Sequence, residues 1–130
     1  MSAPTSQEVL HQTLHAFDRH DWTIFEQHPG LHETRLHLPP LYAAFPDLSH
    51  TIETELVNGS LVGCVALVRG THQGSFMGIA PTGKPVQFML LIIDRIVDGT
   101  IVEHWAIPDF MSLFGQLGVT LSFQPREEKP

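Results

Sequence analysis

Two ionisable side chains, His104 and Asp109, sit with Glu103 among the apolar residues Ile101, Val102, Trp105, Ala106, Ile107 and Phe110. A carboxylate held against apolar surface is how a fold makes a carboxyl group useful as a proton shuttle near neutral pH. Asp109 follows Pro108, which fixes the local backbone, and precedes Phe110 and Met111. In an extended strand His104 and Trp105 point to opposite faces, so only one of them lines a pocket unless the strand bulges. Asp109 shares the parity of Trp105, which favours Trp105 as the pocket-facing residue. Each group also has a plainer reading. Asp109 is a favoured N-cap for a helix starting at Phe110, and His104 can be a structural histidine bonded to a carboxylate such as Glu103 or Glu53.

The elements that must position these groups follow from the pattern. Thr5 or Ser6 can cap a first helix, with Val9, Leu10, Thr13, Leu14 and Phe17 at helical spacing. Asp21 begins a short second helix over Trp22–Gln27, stopped by His28-Pro29-Gly30. Glu33–Leu38 reads as a further turn of helix broken at Pro39-Pro40, after which Leu41–Phe45 starts again. From Ser49 the signal changes to strands: Ser49–Val57, Leu61–Thr71, Pro85–Val97 and Thr100–Ile107. Asn58-Gly59 and Asp98-Gly99 are the two hairpin turns, and His72–Lys84 is a loop. Phe110–Leu117 is a closing helix, and Gln124–Pro130 a charged, mobile tail. Helices followed by four antiparallel strands make an α+β domain, a curved sheet wrapped over N-terminal helices around an internal pocket. The strand around Phe88-Met89-Leu90-Leu91-Ile92-Ile93 is apolar at both parities, as suits a sheet covered on both faces, by helices and by a second copy of the chain.

Composition narrows the function classes. The chain has 130 residues, 42% of them hydrophobic, enough for one domain spanning residues 1–130 with its own core. Seven Lys and Arg against a net charge of −7 are too few for a nucleic-acid surface. The single cysteine, Cys64, excludes an internal disulfide and reads as a small core residue. The sequence has no apolar run long enough for a membrane span and no signal-peptide layout, so a cytoplasmic protein is expected. Nine histidines raise the question of zinc. His11 and His15 have i,i+4 spacing without the Glu of a His-Glu-x-x-His pattern, and His28, His32 and His37 are scattered around prolines, so no metal is expected.

Several segments in order resemble the SnoaL-like polyketide cyclases, also called ester cyclases, within the NTF2-like superfamily. They are Ala44-Phe45-Pro46-Asp47-Leu48, Arg69-Gly70-Thr71-His72-Gln73-Gly74, Phe76-Met77-Gly78-Ile79, Pro81-Thr82-Gly83-Lys84, Asp98-Gly99, Ile101-Val102-Glu103-His104-Trp105 and Asp109. The resemblance implies an NTF2-like α+β cone, dimeric through its sheet, closing a ring by intramolecular aldol condensation without metal or organic cofactor. By motif position it implies Asp109 as the acid/base residue, with His104 beside it. Relatives often place a polar or ionisable residue facing the cavity on the strand that here, Val86–Val97, is apolar through Ile93.

Ring closure of that kind needs a base for a proton alpha to a carbonyl and an acid for the new alkoxide. His104 or the Trp105 N–H would serve as the oxyanion donor. Phe17, Phe25, Phe88, Leu90, Ile92, Trp105 and Met111 are the expected pocket lining, with His72 at the strand-to-loop turn a further candidate. Such a pocket would take a small apolar organic substrate and recognise shape more than charge. Two other readings compete: a non-catalytic binding module in which Asp109 only caps a helix, and an epoxide hydrolase or dehydratase. The latter wants a second pocket carboxylate, which the sequence does not make evident.

Overall fold

The computed structural model describes residues 4–120 and 122–126; Met1–Ala3 and the end of the charged tail, residues 127–130, lie outside them. Helix α1 spans Ser6–Asp18, opened by the Thr5 hydroxyl accepting the Glu8 N–H. Its buried positions are Val9, Leu10, Thr13, Leu14, Ala16 and Phe17, the face the helical spacing picks out. Helix α2 is only Ile24–Gln27: Asp21 accepts the Thr23 N–H and hydroxyl, but the turn it opens is closed by i→i+3 bonds from Ile24 to Asp21 and from Phe25 to Trp22. A 3₁₀ turn over Pro29–Leu31 follows.

Helix α3 runs unbroken from Thr34 to Ala44, through both Pro39 and Pro40, where a break was expected. Each proline removes one backbone donor. The carbonyls that lose their usual donor belong to Arg35 and Leu36, two exposed residues on a helix at the surface, where water can take the donor's place.

Strands β1 (Ser49–Asn58), β2 (Leu61–Thr71), β3 (Pro85–Val97) and β4 (Thr100–Pro108) form one antiparallel sheet in the order β1-β2-β3-β4. Helix α4, Phe110–Gln116, closes the chain. Asp98 and Gly99 both take positive φ, 50° and 76°, as a two-residue hairpin whose twist matches its strands requires. The concave face carries Val62, Cys64, Ala66 and Val68 from β2 and Val86, Phe88, Ile92, Asp94 and Ile96 from β3, all buried. The convex face carries Met89, Leu91 and Ile93, about half exposed.

The sheet departs from regular pairing where it matters most. Arg95 pairs with Glu103 but Ile96 pairs with Ile101, so Val102 is an extra residue, a β-bulge in β4. The 3₁₀ turn clasps this bulge. The Ile101 N–H donates to His28 Nδ1 at 3.0 Å, and Leu31 is fully buried beneath it. Burial of that side chain stabilises the contact by about 2 kcal/mol. Gly30 lies so close to the bulge that a Cβ there would sit 2.8 Å from backbone atoms of Val102 and Glu103. Only glycine permits that approach.

The clasp has a pH signature. Burial lowers the His28 pKa below its usual value, and the nearby Asp94 only partly opposes the shift. A lowered folded-state pKa means that the unfolded chain takes up the proton first. The stability present above about pH 6.5 is therefore lost as pH falls through that value. Asn at position 28 offers an oxygen to the Ile101 N–H and does not titrate. Between about pH 7.5 and 5.5, the melting temperature of His28→Asn should fall less steeply than that of the wild type. Parallel slopes in a thermal-melt series would rule out His28 as the titrating group.

Candidate active site

A cavity of about 1140 Å³ lies between the concave face of the sheet and helices α1 and α3. Its walls are apolar: Leu14 and Phe17 from α1, Leu38 and Leu41 from α3, and Val68, Phe88, Leu90 and Ile92 from the sheet. A smaller, more open hollow of about 430 Å³, edged by Arg69, Gln87 and Gln116, contains no histidine. Among the described residues four histidines, His32, His37, His50 and His104, and Glu33 also line the large cavity; His104 and His50 are each tied to a buried or half-buried carboxylate.

His104 reaches the cavity because of the bulge. Ile101 faces the core and is fully buried, so strict alternation would turn Glu103 and Trp105 inward. The extra residue at Val102 inverts that parity and pairs His104 with Asp94, on the buried face of β3. His104 Nδ1 lies 2.5 Å from Asp94 Oδ1, with the His104 side chain 9% and the Asp94 side chain 1% exposed. An ionised carboxylate accepts only, so Nδ1 carries the proton and the lone pair of the neutral ring is at Nε2. Asp94 Oδ2 is buried with no hydrogen-bond partner among the described residues, so the His104 contact is the carboxylate's one hydrogen bond there. Burial, then the charges of Asp94 and Glu55, push the Cys64 thiol up to about 11, which keeps it a protonated core residue.

At the other end of the sheet, His50 Nδ1 lies 2.8 Å from Asp18 Oδ1, which also accepts the Tyr42 hydroxyl at 2.6 Å. Asp18 Oδ2 accepts the His50 backbone N–H at 3.0 Å. Burial alone would raise the Asp18 pKa, but the hydrogen bonds from His50 and Tyr42 outweigh it and hold the carboxyl below its usual range.

Several expected residues occupy other places. Asp109 is exposed, does not line the cavity, and caps α4 by accepting the Ser112 N–H at 3.1 Å. The helix start and the carboxylate are adjacent in sequence, so the local bond takes the side chain away from the cavity. Trp105 lies opposite the inward face, 46% exposed, and borders the cavity from the edge strand β4 instead of forming its inner wall. Phe25 packs against Phe17 and Trp22 in the core, Met111 is exposed on α4, and neither lines the cavity. His72 is fully buried outside it, its Nδ1 accepting the Thr82 N–H at 3.2 Å. Phe17, Phe88, Leu90, Ile92 and Trp105 are in the lining as expected. His11, paired in sequence with His15 as a conceivable metal ligand, bonds Glu55 at 3.0 Å.

Sequence reasoning missed Asp94, Asp18 and His50. Asp94 carried a usable signal, a lone acid directly after the apolar run ending at Ile93 and at the parity of Phe88, Leu90 and Ile92. Neither Asp94 nor Asp18 lines the cavity itself; each bonds a histidine that does, and the carboxylate in the described lining is Glu33. Asp18 and His50 have no local signal, since 32 positions separate them.

With this geometry in hand, the chain was compared with known proteins. The model of the SnoaL-like polyketide cyclases matches residues 6–117. The aklanonic acid methyl ester cyclase DnrD of Streptomyces peucetius is 34% identical over 76 residues, 58% of this chain and 52% of DnrD. The corresponding cyclase DauD of Streptomyces sp. strain C5 is 34% identical over 61 residues, 47% of this chain and 38% of DauD. The chain thus spans about half the length, or less, of the curated relatives it matches. Among solved structures, AclR of Streptomyces galilaeus, a candidate hydroxylase, superposes with a TM-score of 0.79 at 28% identity, covering 87% of this chain and 95% of AclR. IdmH of Streptomyces antibioticus, a candidate polyketide cyclase, gives 0.76 at 31% identity, covering 89% and 100%.

The cap geometry of Asp109 makes a prediction. Asp109→Ala should lower stability by about 1 kcal/mol through loss of the cap and leave the affinity of apolar ligands for the cavity unchanged. Denaturant melts and a ligand titration check both halves; loss of ligand affinity in a folded variant would return Asp109 to the site.

Proposed function

The chain belongs to the SnoaL-like polyketide cyclase family, and we propose that it closes a ring within an apolar carbonyl compound, with His104 moving the proton and Asp94 orienting it. The observation that carries this reading is the His104–Asp94 pair, 2.5 Å apart at the wall of an apolar cavity. A carboxylate on Nδ1 fixes the tautomer, aims Nε2, and stabilises the imidazolium that forms when Nε2 takes a proton.

The steps balance on one residue. His104 Nε2 removes a proton from the carbon alpha to a carbonyl, leaving an enolate. The enolate carbon attacks a second carbonyl of the same molecule, a carbon–carbon bond forms, and the carbonyl π pair becomes an alkoxide. The imidazolium then returns its proton to that oxygen. Apolar walls keep water from quenching the enolate and strengthen the Asp94–His104 attraction. They also hold the two reacting carbons together, which supplies much of the acceleration for an intramolecular step. The substrate class that suits such walls is a polyketide-like ester with few charged groups.

On a panel of cyclisable β-keto esters, His104→Gln should cut turnover about a hundredfold or more, and Asp94→Asn by a comparable factor, with the fold retained by circular dichroism. Wild type that binds these esters and cyclises none would leave a binding module and end the catalytic reading.

The convex face supports a homodimer as the working unit. Met89, Leu91, Ile93, Trp105 and Ile107 form a contiguous apolar surface, each 46–68% exposed. Patches of that kind on a sheet are commonly covered by a partner. Sedimentation velocity should find a dimer in the wild type and a monomer in Leu91→Lys/Ile93→Lys. A wild-type monomer at high micromolar concentration would refute the pairing.

A further inference from the structure

His50 is held more firmly than a core histidine requires. Its side chain is 3% exposed, its Nδ1 proton goes to Asp18, and Asp18 is fixed in turn by the Tyr42 hydroxyl and the His50 backbone N–H. A bond joining α1 to β1 needs only the Nδ1 edge of the ring. The other nitrogen, Nε2, takes part in none of the described hydrogen bonds, and the residue borders the cavity beside Leu48, Val68 and Phe88. With Nδ1 protonated, neutral His50 presents a lone pair at Nε2. Nε2 is not one of the buried polar atoms left without a partner among the described residues, so it is open to whatever fills the cavity and can accept from a donor there.

The sheet register places this acceptor far from the reacting pair. His50 pairs with Val68 and Val68 with Phe88, whereas His104 pairs with Asp94 further along β3. Phe88 and Asp94 are about 20 Å apart along the strand. The two histidines thus stand at well-separated places on the wall of one cavity.

We propose that His50 is a hydroxyl-reading anchor, whose Nε2 accepts a hydrogen bond from an enolic or phenolic hydroxyl at the end of the ligand remote from His104. Asp18 and Tyr42 are its positioning residues. The ligand class is an elongated, largely apolar polyketone or polyphenol with a hydroxyl at one end and the reacting carbonyls at the other. This rests on the cavity being the substrate site. It does not need His104 to be catalytic, so its test reads binding alone.

The test titrates 2-hydroxyanthraquinone and anthraquinone, which differ by one hydroxyl, into wild type, His50→Asn and His104→Asn. Asn at position 50 keeps an amide donor for Asp18 and deletes the Nε2 edge. Wild type should prefer the hydroxylated probe by about tenfold. His50→Asn should bring the two probes within about twofold of each other, anthraquinone binding as before, and His104→Asn should retain the preference. Nitrogen NMR of the wild type gives a readout that needs no variant: the His50 Nε2 resonance should move with the hydroxylated probe and stay with anthraquinone. The proposal is overturned if wild type fails to bind the hydroxylated probe or does not prefer it. It is equally overturned if the preference survives His50→Asn, if it vanishes only in His104→Asn, or if His50→Asn weakens both probes alike.

Discussion

One surplus residue in the edge strand decides which side chains of β4 face the cavity. A strand alternates its side chains with period two, so inserting Val102 between Ile101 and Glu103 reverses every later position of β4 relative to its neighbour. His104 turns inward, Trp105 turns outward, and the imidazole meets Asp94 across the sheet. A bulge unpairs backbone groups, and here His28 and Gly30 compensate, one by accepting the Ile101 N–H and the other by letting the 3₁₀ turn lie against the strand. The clasp and the dyad are therefore one construction.

The same logic, a carboxylate that orients a histidine, appears twice along one apolar cavity. At His104 the carboxylate is almost wholly buried and one of its oxygens has no hydrogen-bond partner among the described residues, so the imidazole is its one donor there. At His50 the carboxylate is held by several donors, an arrangement that fixes geometry. The contrast suits one group that changes its charge during a reaction and another that stays as it is while reading a ligand. Through the register the two histidines reach β3 at Phe88 and Asp94, six residues apart, about half the length of that strand.

The two faces of the sheet divide the remaining work. The concave face packs on α1 and the end of α3 and supplies the cavity walls. The convex face stays apolar without cover in a single chain. Strand β3 serves both, and this is why its sequence is apolar at every position from Phe88 to Ile93.

Much of this was legible in the residues themselves. Strands β2 and β3 have the limits read from their alternation and hairpin turns, and α1 buries the residues its spacing selects. These are local properties, set by periodicity and turn chemistry. The helix through Pro39-Pro40 was not legible, because the exposure of Arg35 and Leu36, one turn before the prolines, is a property of the surface the helix ends up on. Asp109 was read by its sequence neighbours as a pocket acid, yet the nearest backbone donor, the Ser112 N–H, claimed it. The bulge, the Asp94–His104 pair and the Asp18–His50 pair belong to the tertiary structure alone. Parity along a strand is fixed only when its register against the next strand is known, and groups distant in the chain meet only when the sheet curves over the helices.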